Sequence, residues 1–236
     1  MTPTSTRRGR SGRRKKVAVR SGARPLSPWT VAGIIVLLLF AGGVGFGVYR
    51  AQQPSASGAP AGGTDTGIVV GQADAPVTVD IYLDFQCPAC QAYEQRAGST
   101  IEQLVASGRA KVVYHPVAYL NRFSSTRYST RSSQAAACAA DAGVFPQYLT
   151  ALYANQPPEN SAGLPDDQLV ALGRQVGAGG DFPTCVADTR YAGWTAAVTD
   201  AASKAGINAT PTVMVDGTAI DTTSEALLAA VQAAGR

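Results

Sequence analysis

The sequence predicts an α/β layer fold with a helical subdomain inserted into it. Three observations carry that reading. First, Val77-Thr78-Val79-Asp80-Ile81-Tyr82-Leu83 alternates in polarity and is rich in β-branched residues, so it reads as a strand. Second, a helical segment and another strand follow it directly, and then a long run of helical patterns without strands. Third, the chain closes on a hairpin and a helix, with Asp216-Gly217 as the turn.

The elements follow in order. Residues 91–106 form a helix with Ala92, Ala97, Ile101, Leu104 and Val105 on one stripe. Residues 111–114 form the second strand. Residues 132–144 and 145–155 are helical, and Pro165-Asp166-Asp167 opens another helix that stops near Gly177. Residues 191–205 are helical again, which places the insertion at about 121–205. Thr212-Val213-Met214-Val215 and Thr218-Ala219-Ile220 are the hairpin strands. Thr222-x-x-Glu225 reads as a capping box, and the last helix turns Leu227, Leu228 and Val231 inward.

The first fifty residues differ in kind. They hold ten basic residues and no acid, whereas the rest of the chain carries a net charge of −6. The overall +4 is therefore a sum of two opposite segments, and a nucleic-acid partner is excluded as its cause. Residues 1–28 form a basic cytoplasmic tail. Residues 29–49, from Trp29 to Tyr49, are uncharged and as a helix would span roughly 30 Å, the thickness of a bilayer core. Nine basic residues precede this run and only Arg50 follows closely, so the N-terminus is expected in the cytoplasm and the remainder outside. A cleaved signal peptide is the rival reading, but its apolar run is usually shorter. Residues 50–66 are rich in Gly, Ser, Pro and Ala and read as a flexible linker. Residues 67–236 form the domain.

Four cysteines lie in that extracytoplasmic domain, an even number in an oxidising compartment. Their spacing favours the pairs Cys87–Cys90 and Cys138–Cys185. Cys87-Pro88-Ala89-Cys90 sits where a strand meets a helix. There the unpaired N–H groups of the first turn favour a Cys87 thiolate, Pro88 suits the helix start, and Cys90 is shielded one turn in. That geometry offers one exposed sulfur to substrates and one resolving sulfur. A zinc half-site is the alternative. It would need a second pair or nearby imidazoles, and Cys138, Cys185 and the lone His115 do not supply the spacing. No metal is expected. His115 is read as a packed or solvated side chain outside the site.

With Asp84-Phe85-Gln86-Cys87-Pro88-Ala89-Cys90 after a strand, a helical insertion, and Thr210-Pro211-Thr212 before the hairpin, the sequence resembles the DsbA-like branch of the thioredoxin superfamily. The likeness covers about residues 67–236 and is nearest to membrane-tethered actinobacterial members. It implies a thioredoxin-like fold with an inserted helical subdomain, here preceded by one transmembrane helix. By the same resemblance Cys87 is the nucleophile, Cys90 resolves, and Pro211 is a cis-proline beside the dithiol. Thr210 would offer backbone groups to an extended substrate, with Pro88 and Ala89 on the same surface. No cofactor beyond the Cys87–Cys90 disulfide is implied. The implied partners are secreted proteins with free thiols and a membrane quinone-linked oxidase as reoxidant. Two departures stand out. Ala89 occupies a position that is His in well-known oxidising members, and Ile81 stands where many relatives have an acid. Asp80 and Asp84 lie nearby and are read as solvated carboxylates, with proton transfer to Cys90 as the alternative. A reductase or isomerase with the same site, and a binding module without redox turnover, remain open at this level.

Overall fold

A computed structural model describes residues 58–236. The basic tail, the 29–49 segment and residues 50–57 lie outside the described residues. Among the described residues no helix is long and apolar enough to cross a membrane.

Five strands form one mixed sheet in the order β1-β3-β2-β4-β5. They are β1 (Ile68–Val70), β2 (Val77–Leu83), β3 (Ala110–Pro116), β4 (Thr212–Val215) and β5 (Thr218–Ile220). β2 and β3 run parallel and are joined by helix α1 (Pro88–Ala106); the other pairings are antiparallel. β2 alternates as its sequence does. Val77, Val79, Ile81 and Leu83 are buried, and Thr78, Asp80 and Tyr82 are half-buried. Between β3 and β4 come a 3-10 turn (Asn121–Phe123) and helices α2 (Tyr128–Asp141), α3 (Phe145–Ala154), α4 (Asp166–Gln175), α5 (Phe182–Ala187) and α6 (Ala192–Lys204). Helix α7 (Ser224–Ala234) ends the chain and packs on β4, β5 and α1.

Tyr93, Ala97, Ile101 and Leu104 bury one face of α1. Burying Ile101 or Leu104 contributes about 1.5–3 kcal/mol each. Helix α2 is buried along nearly its whole length, with α3, α4, α5 and α6 packed round it. α4 and α5 meet at Gly173, where an added Cβ would lie 2.1 Å from Phe182 Cε1, so the close approach excludes any side chain there.

Several details differ from the sequence expectations. β1 was not foreseen, because three residues are too few to show an alternation. α2 starts at Tyr128 rather than 132. Its N-cap Arg127 is left-handed (φ 55°), and the Ser124 hydroxyl takes the Tyr128 N–H at 3.1 Å, chemistry that reads as turn in one dimension. The short α5 was also missed, although it carries Cys185. The last helix is capped by Thr223, which accepts from Ala226 N–H at 3.1 Å, not by Thr222. Leu227 and Val231 are buried, but Leu228 is only partly so. Asp216 (φ 44°) and Gly217 (φ 78°) form the expected tight hairpin turn.

Residues 58–66, assigned by composition to the linker, are held against the domain. Trp194 Nε1 donates to the Thr64 carbonyl at 2.8 Å, Asp141 Oδ1 accepts from Ala61 N–H at 2.8 Å, and Gly63 bridges to Ile68. Those bonds run through backbone atoms on this segment, which is why composition does not reveal them.

Cys138 of α2 and Cys185 of α5 are joined, with Cα atoms 5.9 Å apart and a sequence separation of 47. A Cys138→Ala/Cys185→Ala double variant is expected to lose about 4 kcal/mol of stability through the unfolded-state entropy of that loop. Urea denaturation followed by circular dichroism checks it. An unchanged midpoint would show that the bridge is not a staple.

Candidate active site

The end of β2 assembles the site. Its parallel pairing with β3 ends at Leu83 opposite Pro116, and its antiparallel pairing with β4 ends at Tyr82 opposite Thr212. The residues that flank those pairs are therefore neighbours: Asp84 to Cys87 after β2, and Thr210 and Pro211 before β4. The Thr210–Pro211 peptide is cis. Pro88 and Ala89 are exposed, whereas Thr210 and Pro211 are half-buried.

Cys87 is the N-cap of α1 and Pro88 its first residue, so the helix starts at the dithiol. Proline costs nothing there, because its missing N–H would have no partner inside the helix. Cys87 and Cys90 are two free thiols, the reduced state of the pair that spacing predicts as a disulfide. Cys87 is 7% exposed and Cys90 2%. The nucleophile candidate is thus less open than the sequence suggested. The Thr210 carbonyl lies over it and accepts from Cys87 Sγ at 3.3 Å.

The two sulfurs differ sharply in acidity. The Cys87 thiol is lowered to about 6, first because Cys90 donates a hydrogen bond to its sulfur. Burial opposes that. The Thr210 side chain and the N–H groups of Cys90 and Ala89 assist it, as expected at a helix N-terminus. The two groups of Thr210 pull in opposite senses: the carbonyl holds the neutral thiol, and the side chain favours the anion. Cys90 is pushed far up, mainly by burial and then by the hydrogen bond and charge of Cys87. One reactive thiolate beside one retained thiol can carry out thiol–disulfide exchange.

Neither nearby aspartate is a solvated carboxylate. Asp84 is 0% exposed, and its carboxylate accepts from Gln86 N–H and Leu120 N–H, both at 2.9 Å. Burial raises it to about 6 against those hydrogen bonds. Asp80 is partly buried and pairs with His115 Nε2 at 2.9 Å. His115 is packed: it stacks on Tyr82 with ring centroids 4.2 Å apart, and its Nδ1 lies 2.6 Å from the Thr66 carbonyl. Asp84 meets the dithiol through its backbone, its carbonyl accepting from Cys87 N–H at 2.9 Å, while its carboxylate is taken up by Gln86 and Leu120. Among the described residues no group of three His, Cys, Asp or Glu side chains could hold a metal ion.

Sequence reasoning missed the clasp around the loop. Gln156, just after α3, donates through Nε2 to the carbonyls of Phe85 at 2.9 Å and Cys87 at 3.0 Å. Gln86 donates to Phe123 O at 2.6 Å, and Ser129 Oγ lies 3.4 Å from Gln86 Oε1. Tyr153 packs its ring 5.4 Å from that of Phe85 and reaches the Asp84 carbonyl at 3.4 Å. Gln156 lies 69 positions from Cys87, so no local spacing could have found it.

A dithiol at a helix N-terminus, faced by a cis-proline loop at the end of a mixed sheet, defines a CxxC protein of the thioredoxin class. The family model described as Thioredoxin (Thioredoxin_4) matches residues 63–233. The chain is similar to the disulfide bond oxidoreductase DsbG of Mycobacterium tuberculosis in its reduced form. The identity is 32% and the TM-score 0.63, covering 70% of this chain and 85% of that one. It is likewise similar to oxidised DsbA of Mycobacterium tuberculosis, at 31% identity and TM-score 0.65, covering 72% and 92%. Among curated proteins, the serine/threonine-protein kinase PknE of Mycobacterium tuberculosis is 33% identical over 164 residues, 65% of this chain. The match spans only 29% of that kinase's length. The chain belongs to the thioredoxin family, and within it to the DsbA-like oxidoreductases.

The acidity of Cys87 is open to measurement. Its alkylation by iodoacetamide is expected to reach a plateau above neutral pH and to fall with a midpoint near the value of about 6. A midpoint near 9 would remove the stabilised thiolate.

Proposed function

We propose that this chain is an extracytoplasmic thiol:disulfide oxidoreductase that introduces disulfides into secreted proteins carrying free thiols. The observation that carries it is the Cys87–Cys90 dithiol at the N-terminus of α1, facing the cis Thr210–Pro211 peptide, a setting that lowers the Cys87 thiol and holds Cys90 well above its usual range. A stabilised thiolate is a good leaving group and favours the reduced enzyme, which makes the oxidised pair an oxidant.

A substrate thiolate attacks Cys87 Sγ of the oxidised pair. The Cys87–Cys90 bond breaks, and Cys90 takes the electron pair and then a proton. The second substrate thiolate attacks the substrate sulfur of the mixed disulfide and expels Cys87 as a thiolate. The substrate loses two electrons and the enzyme gains them. Thr210 pairs its backbone with the extended substrate segment, beside Pro211, Pro88 and Ala89. The Cys87–Cys90 disulfide is the redox group, with no added cofactor. A membrane quinone-linked oxidase takes the two electrons away. The charge pattern around Trp29–Tyr49 supports a single-pass anchor in the cell membrane, with the N-terminus cytoplasmic and this domain outside.

Ala89 favours a second reading, because a residue without a side-chain donor sits between the cysteines. A less stabilised pair would act as a reductase or isomerase with the same residues. Two measurements decide. A Cys90→Ser variant is expected to accumulate mixed disulfides with secreted proteins, released by reducing agent. Equilibration of Cys87 and Cys90 with glutathione is expected to give a potential at or above the glutathione range. No thiol-sensitive adducts would overturn the redox role, and a potential well below glutathione would reverse its direction.

A further inference from the structure

Ala118, Tyr119 and Leu120 follow β3 at the sheet end from which the CxxC loop also departs; Val117 N–H still bonds to the Leu83 carbonyl at 2.9 Å. Each of the three makes a hydrogen bond to a different part of the molecule. Ala118 N–H donates to Thr199 Oγ1 of α6 at 3.1 Å. The Tyr119 hydroxyl donates to the Ile207 carbonyl at 2.6 Å. Leu120 N–H donates to Asp84 Oδ2 at 2.9 Å.

Ile207 lies three residues before Thr210 in the loop that ends at the cis-proline. Apart from Thr210, which meets Cys87, the side chains of this loop bond locally. Asn208 Nδ2 bonds to Gly206 O at 3.0 Å and Thr212 Oγ1 to Ala209 O at 2.8 Å. On the other side, Asp84 binds Gln86 N–H through its carboxylate and Cys87 N–H through its carbonyl, both at 2.9 Å. A circuit therefore closes round the site: Cys87 to Thr210, along the chain to Ile207, across to Tyr119, on to Leu120, and back through Asp84 to Cys87.

We propose that Tyr119 is a positioning residue that fixes the gap between Cys87 and the Thr210–Pro211 wall, and thereby favours polypeptide thiols over small ones. The proposal rests on the oxidoreductase reading above. A small dithiol needs only access to one sulfur. An extended segment must lay its backbone along Thr210 while its sulfur reaches Cys87, so it needs both walls at one spacing. The Tyr119 hydroxyl ties the loop that bears Thr210 to the segment that anchors Asp84. Without it, the Ile207 carbonyl turns to water and the loop must be ordered by the substrate itself.

The test compares the full 236-residue chain in detergent micelles with its Tyr119→Phe and Ser203→Ala variants. Each is oxidised and assayed with a two-cysteine peptide and with dithiothreitol. Ser203 Oγ lies 3.4 Å from the Tyr119 hydroxyl, so it controls for the other neighbour of that oxygen. Tyr119→Phe is expected to raise the peptide KM by roughly three- to tenfold, the range for one neutral hydrogen bond, with kcat held within about twofold. Its dithiothreitol rate and Cys87 alkylation profile are expected to match the wild type, and Ser203→Ala to change neither arm. An unchanged peptide KM in Tyr119→Phe overturns the proposal. So does an equal loss with both substrates, a displaced alkylation profile, or the same KM rise in Ser203→Ala. A wild-type chain that oxidises neither substrate overturns the oxidoreductase reading itself, and this proposal with it.

Discussion

Strand β2 is hydrogen-bonded along both edges, and the site depends on where its last pairs fall. The parallel register with β3 and the antiparallel register with β4 both run out within a residue of Leu83. Backbone bonding stops there, and three loops leave one edge of the sheet together. One carries Cys87, one carries Tyr119 and one carries Thr210. A slip of one residue in either pairing would turn every β2 side chain to the opposite face and separate these loops. The buried alternation of Val77, Val79, Ile81 and Leu83 resists that slip.

Within this frame two identical thiols become chemically unlike. Cys87 caps a 19-residue helix and faces donors from Cys90, Ala89 and Thr210. Cys90 lies one turn deeper, where burial and the neighbouring sulfur both oppose its ionisation. The separation needs no metal and no imidazole. It follows from placing one cysteine before Pro88 and the other three positions on, inside the core.

The helical insertion also shapes the loop. Gln156 holds the carbonyls of Phe85 and Cys87, Tyr153 backs Phe85, and Phe123 and Ser129 meet Gln86. The Cys138–Cys185 bridge braces α2, the helix that supplies Ser129 to this clasp, against α5. Stability of the insertion and geometry at Cys87 are thus linked through side-chain amides rather than through the sheet.

Local pattern was enough to determine β2, the α1 helix, the hairpin at Asp216-Gly217, the Cys138–Cys185 pairing and the CxxC placement at a helix start. Each depends on residues close in sequence or on a count of cysteines. Pattern failed where the signal was short or turn-like, as at β1, α5 and the Thr223 cap, and where backbone atoms made the contact, as with Trp194 and Thr64. It also misread Asp80 and Asp84, because a carboxylate between two β-strands or under a loop looks like any exposed acid in one dimension. Resemblance pointed to Thr210 and Pro211, but their distance from Cys87 is a property of strand register. Gln156, Tyr119 and the burial of Asp84 were decided only by tertiary structure. Their partners lie far along the chain, and a hydrogen bond that closes a loop leaves no periodicity for a sequence to display.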